Sequence, residues 1–200
     1  MTEAVAAETI LGPRFDEAFA YASLLHRRQL RKGKHVPYLA HLMGVASLVL
    51  EDGGDEDEAI AALLHDAVEE QGGIPVLNEI RRRFGVRVAE IVEHCTDHDP
   101  AKDRPEWHVR KRRYVAALAK ADESCLRVAL ADKLYNAREL LADYRQTGDQ
   151  VWLRFSAGRE VLAYLRALAT TFQNNFKSPM ADELDRTVAA LEQMSTSAAA

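Results

Sequence analysis

Cysteine is scarce in this sequence, and its scarcity excludes two kinds of stabilised small domain. Cys95 and Cys125 are the only cysteines among 200 residues, too few and too unpatterned for a disulfide framework or a zinc knuckle. No apolar run approaches the roughly 20 residues that a membrane-spanning helix needs. The first ten residues also lack a basic segment followed by an apolar one, as a signal peptide requires. The sequence therefore predicts a soluble, cytoplasmic protein with reduced thiols and no membrane partner.

An excess of positive charge is also absent. The chain has 26 Lys and Arg residues against 31 Asp and Glu residues, which gives a formal net charge of −5. This balance disfavours binding to nucleic acid, although a local basic pocket remains compatible with it. Because 200 residues suffice for one core and no linker divides them, we expect a single domain over residues 1–195 with a disordered tail at 196–200.

The alternation of apolar and polar residues that is typical of β-strands is absent as well. Apolar residues recur instead at the spacing of a helix throughout the chain. Glycines, prolines and caps divide the chain into about eight to nine helices, so the predicted fold class is all-α, a helical bundle. The helices are expected over 13–31, 38–51, 55–71, 75–84, 86–95, 107–121, 125–144, 150–172 and 181–194. Asp55 is expected to cap the third of these helices.

Two histidines and two aspartates lie in apolar helical surroundings and form a candidate metal site. His65 and Asp66 follow the apolar run 60–64, His41 lies upstream, and Asp132 lies downstream. Helix neighbours point about 100° apart, so His65 and Asp66 can approach one ion from adjacent directions while other helices of a bundle supply the remaining ligands. This set of nitrogen and oxygen ligands suits Mn²⁺ or Fe²⁺ and predicts metal-assisted hydrolysis of a phosphate ester or anhydride.

Two acidic residues follow the candidate ligands at helical spacing. Glu69 lies four residues after His65, and Glu70 lies four residues after Asp66, so both extend the side that carries the ligands. A carboxylate there could orient the attacking water, take its proton or protonate the leaving group. The alternative is a solvated acidic helix end, and the neighbouring ligands favour a catalytic role for at least one of the two.

Four longer segments carry a resemblance to a known family. They are residues 26–32 (HRRQLRK), 37–41 (PYLAH), 61–70 (AALLHDAVEE) and 131–140 (ADKLYNAREL). With them, the chain resembles the HD-domain metal-dependent phosphohydrolases, and more closely the hydrolase domain of the RelA/SpoT alarmone enzymes and its free-standing small alarmone hydrolases. The resemblance covers about residues 14–145 and falls away toward the C-terminal helices at 150–194.

The resemblance implies an all-α HD domain that removes the 3′-pyrophosphate from (p)ppGpp to give GDP or GTP. One Mn²⁺ ion, or Fe²⁺ or another divalent ion, would be bound by the candidate ligands His41, His65, Asp66 and Asp132. Glu69 and Glu70 would occupy the family's Glu-Asp catalytic pair. The residues that match nucleotide contacts are Arg31, Lys32, Asn136 and, in a looser alignment, Lys111.

Two positions depart from the family pattern. Glu70 and Gln71 stand where the family usually has Asp and Thr. The extra methylene moves the Glu70 carboxylate by about a bond length, which bears on efficiency and on substrate choice. No length remains for a synthetase domain, so we expect degradation only. Lys133 could act as a further point charge for phosphate, but a solvated helix face is the alternative for Lys133 and Arg138, and Lys133 is therefore left out of the candidate site.

Several alternatives stay open. The same chemistry could act on another nucleotide, such as an adenosine alarmone (ppApp), NADPH at its 2′-phosphate or a deoxynucleotide. A non-catalytic HD domain could bind a nucleotide and regulate a partner. The C-terminal apolar residues could close the active site or form the face of a homodimer; they are Val161, Leu162, Tyr164, Leu165 and Leu168.

Overall fold

Helices account for all the regular structure in the described part of the chain. A computed structural model describes residues 9–98, 100 and 105–197. Its helices are α1 (Pro13–Leu25), α2 (Tyr38–Glu51), α3 (Glu56–Leu64), α4 (Ala67–Gln71), α5 (Ile74–Phe84), α6 (Val86–Cys95), α7 (Trp107–Leu118), α8 (Glu123–Thr147), a 3-10 helix (Gly148–Arg154), α9 (Glu160–Asn175) and α10 (Pro179–Ser197). The all-α prediction is confirmed. In the described ranges, no helix is both long and apolar enough to cross a bilayer.

The start of α3 is fixed by a capping box, as the sequence predicts for Asp55. The Asp55 carboxylate accepts a hydrogen bond from the Glu58 backbone N–H at 3.0 Å. In return, Glu58 Oε2 accepts from the Asp55 backbone N–H at 2.8 Å. The box satisfies two amide donors that have no partner within the helix. Because α3 then runs for nine residues to Leu64, its far end delivers His65 at a defined place.

The helix predicted over 55–71 is interrupted at the candidate metal ligands, so the prediction of one continuous helix is wrong. His65 and Asp66 lie between the end of α3 at Leu64 and the start of α4 at Ala67. Asp66 has φ −94° and ψ −3°, in the sparsely populated bridge region where active-site residues are often found. Apolar spacing alone carries no sign of this break, since the residues on both sides of it are buried.

The segment between α1 and α2 is a folded loop and not the last turn of a helix. Helix α1 ends at Leu25, six residues before the predicted end. The Arg31 backbone N–H donates to the Val36 carbonyl at 2.8 Å, and the Tyr38 N–H donates to the Gln29 carbonyl at 2.9 Å. Gly33 makes the turn with φ 74°, a conformation that favours glycine. The loop therefore holds residues 29–36 at a fixed distance from α2.

The C-terminal third differs from the prediction in its boundaries. The helix predicted over 150–172 is divided into the 3-10 helix and α9, and residues 155–159 between them are not helical. Helix α10 extends to Ser197, past the predicted end at residue 194 and two residues into the segment expected as a tail. Residues 198–200 of that segment lie outside the described residues.

Helix α8 is the axis of the bundle. It packs against α2, α3, α6, α9, α10 and the 3-10 helix. Leu130, Ala131 and Leu134 on α8 are fully buried, so the side chain of Asp132 enters the interior among them. Because α2 and α3 also pack on each other, the three helices that carry candidate ligands meet around one point.

Gly44 allows α2 to approach α8 closely. A Cβ atom built at this position would lie 2.0 Å from Cε2 of Tyr135 on α8. The Tyr135 ring also packs edge-on against His41, with ring centroids 5.0 Å apart. The contact between glycine and tyrosine therefore sets the position of one candidate ligand.

We expect Gly44→Ala to lower the free energy of unfolding by about 1–3 kcal/mol, measured by urea denaturation. Overpacking against Tyr135 costs that much and outweighs the roughly 1 kcal/mol by which alanine is favoured over glycine in a helix. The control is Gly44→Ala in a Tyr135→Ala background, where removal of the ring should make the alanine stabilising. A single Gly44→Ala variant more stable than the wild type would contradict the close approach.

Candidate metal centre

Four donor atoms from three regions of the bundle converge on one point. His41 Nε2 lies 3.3 Å from His65 Nε2, 3.3 Å from Asp132 Oδ1 and 3.5 Å from Asp66 Oδ2. His65 Nε2 lies 3.1 Å from Asp66 Oδ2 and 3.6 Å from Asp132 Oδ1. The structure thus brings together all four residues that the sequence predicts as metal ligands.

The donor set fits a divalent metal ion. Ligand atoms about 2.1 Å from an ion in octahedral or tetrahedral geometry lie roughly 3.0–3.4 Å apart, close to the separations observed here. His41, His65 and Asp132 are buried and offer donor atoms within 4.8 Å of one another, and Asp66 Oδ2 adds a second carboxylate oxygen. Buried lone pairs gathered in this way carry a desolvation cost unless a cation is shared between them.

Contacts behind the ligands orient the donor atoms. His65 Nδ1 lies 2.8 Å from the Ala62 carbonyl; donation to that oxygen leaves the lone pair on Nε2 directed at the centre. The Tyr38 hydroxyl donates to Asp66 Oδ2 at 2.6 Å. These contacts fix the histidine tautomer and hold one carboxylate before any ion arrives.

Asp132 is held from its own helix. Asn136 Nδ2 donates to Asp132 Oδ1 and Lys133 Nζ donates to Asp132 Oδ2, each at 2.5 Å. The Lys133 side chain is only 16% exposed, so the interpretation of Lys133 as part of a solvated face is wrong. The reason is local: a lysine directly after a buried aspartate turns back to neutralise it, a contact that helical periodicity does not reveal.

The electrostatics of the centre leave its aspartates anionic. Burial lowers the pKa of His65, but Asp66 and Asp132 overcome burial and raise that pKa to about 10. Burial raises the pKa of Asp66, yet His65 and His41 hold it well below its usual value. Burial likewise raises the pKa of Asp132, and Lys133 with the two histidines brings it far down. The buried Asp132 and the partly buried Asp66 therefore demand positive charge, from histidine protons or from a metal ion.

The two predicted catalytic glutamates lie on α4, directly beyond the ligands. Glu69 is half-buried, and burial, followed by the charge of Asp66, raises its pKa. Glu70 is exposed and accepts a hydrogen bond from Gln29 Nε2 at 2.7 Å. Their environments differ, so the two carboxylates are suited to different tasks.

A cavity of about 620 Å³ lies beside the centre. Its wall includes Tyr38, Lys133 and Asn136, the residues that hydrogen-bond to the ligand carboxylates. Six basic side chains line it against three acidic ones; the basic residues are Arg31, Lys32, Lys34, Lys111, Lys133 and Arg154. All four predicted nucleotide contacts lie on this wall. Basic side chains thus outnumber acidic ones on this wall, although the net charge of the protein is negative.

Arg31 and Lys111 line the cavity, and other side chains hold each of them in place. Arg31 Nη2 donates to Asn136 Oδ1 at 2.6 Å, and its guanidinium lies 5.4 Å from the ring centre of Tyr38. Lys111 Nζ donates to Asp97 Oδ2 at 2.9 Å and lies 5.2 Å from the ring centre of Tyr164. Burial lowers the pKa of Lys111. Both cations are therefore positioned in advance, without solvent between them and their partners.

A second cavity, of about 650 Å³, adjoins the first. The two share Lys32, Trp107, Lys111 and Phe155 in their walls, and Glu69 faces the second. The two cavities are therefore continuous with each other.

Several wall residues escape prediction from sequence. Lys34, Trp107, Arg154 and Phe155 line the 620 Å³ cavity although none stands in a ligand motif. The C-terminal residues Val161, Tyr164 and Leu165 line it as well, so α9 closes the site, one of the two roles that the sequence leaves open. The sequence shows that α9 has an apolar side. It does not show what that side packs against, because this depends on the tertiary structure.

Comparison with known proteins identifies the family. The sequence matches the model of the HD domain over residues 18–162. The chain belongs to the HD-domain family. HD domains hold a divalent metal ion, and His41, His65 and Asp132 supply a site for one here.

Relatives of this HD domain have named activities. Guanosine-3′,5′-bis(diphosphate) 3′-pyrophosphohydrolase MESH1 of Homo sapiens is 39% identical over 127 residues, covering 62% of this chain and 68% of that protein. The guanosine-3′,5′-bis(diphosphate) 3′-pyrophosphohydrolase of Aquifex aeolicus is 36% identical over 123 residues, covering 62% of this chain and 17% of its own. The solved structure of a metazoan orthologue of SpoT that hydrolyses ppGpp superposes with a TM-score of 0.72 at 25% identity, over 93% of this chain and 98% of the other.

Removal of one ligand should abolish metal uptake by this HD domain. We expect the wild type to retain about one divalent ion per chain after dialysis, and His41→Ala to retain none, when metal content is measured by mass spectrometry. A bound ion should also raise the free energy of unfolding, by about 2.7 kcal/mol at an ion concentration one hundred times the dissociation constant. The matched control is His94→Ala, because His94 is an exposed histidine on α6. Full metal content in His41→Ala would contradict the site.

Proposed function

We propose that the protein is a Mn²⁺-dependent hydrolase that removes the 3′-pyrophosphate from (p)ppGpp, releasing GDP or GTP and pyrophosphate. The observation that carries this proposal is the cluster of two histidines and two aspartates directly beside a cavity lined by six basic side chains. The named activity of the MESH1 relatives, which are 39% identical to the chain over 127 residues, supports it. So does the ppGpp hydrolysis named for the structural neighbour.

The charge distribution fits this class of substrate. A nucleotide with diphosphates on both its 5′ and 3′ oxygens carries several negative charges, which an acidic protein binds only through local cations. Arg31 offers a planar fork for phosphate or a flat surface for a base, whereas Lys32 and Lys111 act as point charges. Asn136 connects a candidate nucleotide contact with a candidate metal ligand, because its Oδ1 accepts from Arg31 and its Nδ2 donates to Asp132.

The proposed reaction assigns one task to each group. Held by His41, His65, Asp66 and Asp132, a divalent ion would lower the pKa of a water molecule and draw charge from phosphoryl oxygens. Glu69 or Glu70 orients that water and accepts its proton. The water oxygen bonds to the phosphorus that is attached to the 3′ oxygen. The bond between that phosphorus and the 3′ oxygen breaks, and the 3′ oxygen takes up a proton. Arg31, Lys32 and Lys111 neutralise the phosphate groups throughout.

The proposed catalytic unit includes the C-terminal helices. Helices α9 and α10 pack on α8, and α9 supplies part of the cavity wall. We therefore propose a single domain over residues 1–195 that combines the motif region 14–145 with the helices at 150–194. Cys95 and Cys125 are buried free thiols, which suits the reducing cytoplasm.

A substrate panel with Mn²⁺ tests the function. We expect conversion of ppGpp to GDP and pyrophosphate, with ppApp, NADPH and deoxynucleoside monophosphates as competitors in separate reactions. Asp66→Ala should abolish turnover while far-UV circular dichroism stays helical. Orthophosphate from NADPH or a monophosphate, with ppGpp left intact, would contradict the alarmone assignment. No turnover by a metal-loaded protein would instead favour a nucleotide-binding regulator.

Loss of the proton acceptor should slow the chemical step alone. We expect Glu69→Gln or Glu70→Gln to lower kcat by about 10²–10⁴-fold, because general base catalysis contributes that much, while metal content stays at the wild-type level. Glu90→Gln is the matched control, since Glu90 is an exposed glutamate on α6. Wild-type kcat in both glutamine variants at 69 and 70 would exclude this pair from proton transfer.

A further inference from the structure

Glu70 is held by a side chain from outside its own helix. Gln29, in the loop between α1 and α2, donates from Nε2 to Glu70 Oε2 at 2.7 Å. The two residues are 41 positions apart in the chain, so the contact depends on how the loop folds onto α4. A hydrogen bond to a carboxylate is shorter and stronger than one between neutral groups, and this one restrains an otherwise exposed glutamate.

The Gln29 amide is itself fixed from two sides. Its Oε1 accepts from Gln71 Nε2 at 2.5 Å and lies 2.7 Å from His26 Nδ1. His26 is 2% exposed and stacks on Tyr38, with ring centroids 5.0 Å apart and planes inclined by 11°. The glutamine is therefore anchored on a buried, stacked imidazole.

The contacts allow one orientation of the amide. If the Gln29 amide were flipped, its NH₂ group would face the donor of Gln71 and its carbonyl oxygen would face the carboxylate of Glu70. Both contacts would be repulsive, one between donors and one between acceptors. The observed orientation satisfies both, and it requires that His26 carry its proton on Nδ1. Nε2 of Gln29 is thus presented to Glu70.

The same contacts link Glu70 to the metal ligands. Tyr38, on which His26 stacks, donates its hydroxyl hydrogen to Asp66 Oδ2 at 2.6 Å. A chain of direct contacts therefore runs from Asp66 through Tyr38, His26 and Gln29 to Glu70. This chain contributes to the position of the Glu70 carboxylate relative to the metal-binding residues.

We propose that Gln29 is a positioning residue for the reaction: it holds the Glu70 carboxylate, with Gln71 and His26 fixing its amide, in the place from which Glu70 handles the proton of the attacking water. This proposal rests on the proposed hydrolysis. A glutamate has three rotatable side-chain bonds, and an unrestrained one is spread over several rotamers. Because a misplacement of about 1 Å lowers the rate strongly, the restraint acts on kcat.

The test replaces Gln29 with methionine, which keeps the length of the side chain and removes both hydrogen-bonding groups. With Mn²⁺ and ppGpp, we expect Gln29→Met to lower kcat about tenfold, with KM within twofold of the wild type and metal content unchanged. In a Glu70→Gln background, Gln29→Met should lower kcat no further, because the group that it positions is already lost. The matched control is Gln173→Met: Gln173 also donates to a carboxylate, Asp182, at 2.9 Å, away from the site.

Activity-independent evidence comes from NMR. The side-chain amide resonance of Gln29 should shift in Glu70→Gln and in Gln71→Met without substrate, because each change removes one of its partners. Gln71→Met should also lower kcat, by less than Gln29→Met does.

Three results would overturn the proposal. They are unchanged kcat in Gln29→Met, equal losses from Gln29→Met in the wild-type and Glu70→Gln backgrounds, and a raised KM at constant kcat, which would make Gln29 a substrate contact. These results leave wild-type hydrolysis of ppGpp intact. Absence of turnover in the metal-loaded wild type would instead refute the proposed function, and the role of Gln29 with it.

Discussion

The rest of the structure depends on two carboxylates, Asp132 buried and Asp66 partly buried, that lie beside two buried imidazoles. Asp66 and Asp132 approach His41 and His65 within 3.1–3.6 Å, where uncompensated charge is costly. The compensation comes from all sides: a tyrosine hydroxyl, a lysine and an asparagine bind the carboxylates. Helices α2, α3 and α8 must therefore meet at one point, and the chain must leave helical geometry between α3 and α4.

The second constraint is the contrast between the acidic protein and its basic cavity. Net charge is −5, yet six cations line the cavity beside the metal centre. Such a cavity favours a polyanionic ligand beside the metal-binding residues. Closure by α9 completes it: Tyr164 lies near Lys111 and Trp107, so aromatic and cationic groups face the same space.

The sequence predicts the parts of this arrangement that local chemistry determines. Residue type and spacing predict the Asp55 cap and the helices at 38–51 and 86–95. They also predict the convergence of four side chains: His41, His65, Asp66 and Asp132. The break at Asp66 and the closure by α9 depend on contacts between distant segments, which periodicity does not encode. The contact of Lys133 with the neighbouring Asp132 is local, but helical periodicity does not reveal it either. Glu70 and Gln71, the two departures from the family pattern, are adjacent in sequence but are joined in space through Gln29.

The central claim is that water attacks the phosphorus attached to the 3′ oxygen and releases the pyrophosphate intact. ³¹P NMR of the products, after reaction of ppGpp with the Mn²⁺-loaded protein in ¹⁸O-enriched water, tests it most directly. The predicted result is one ¹⁸O atom in pyrophosphate and none in GDP. Label in the nucleoside product, or release of orthophosphate from the 3′ group, would contradict the claim.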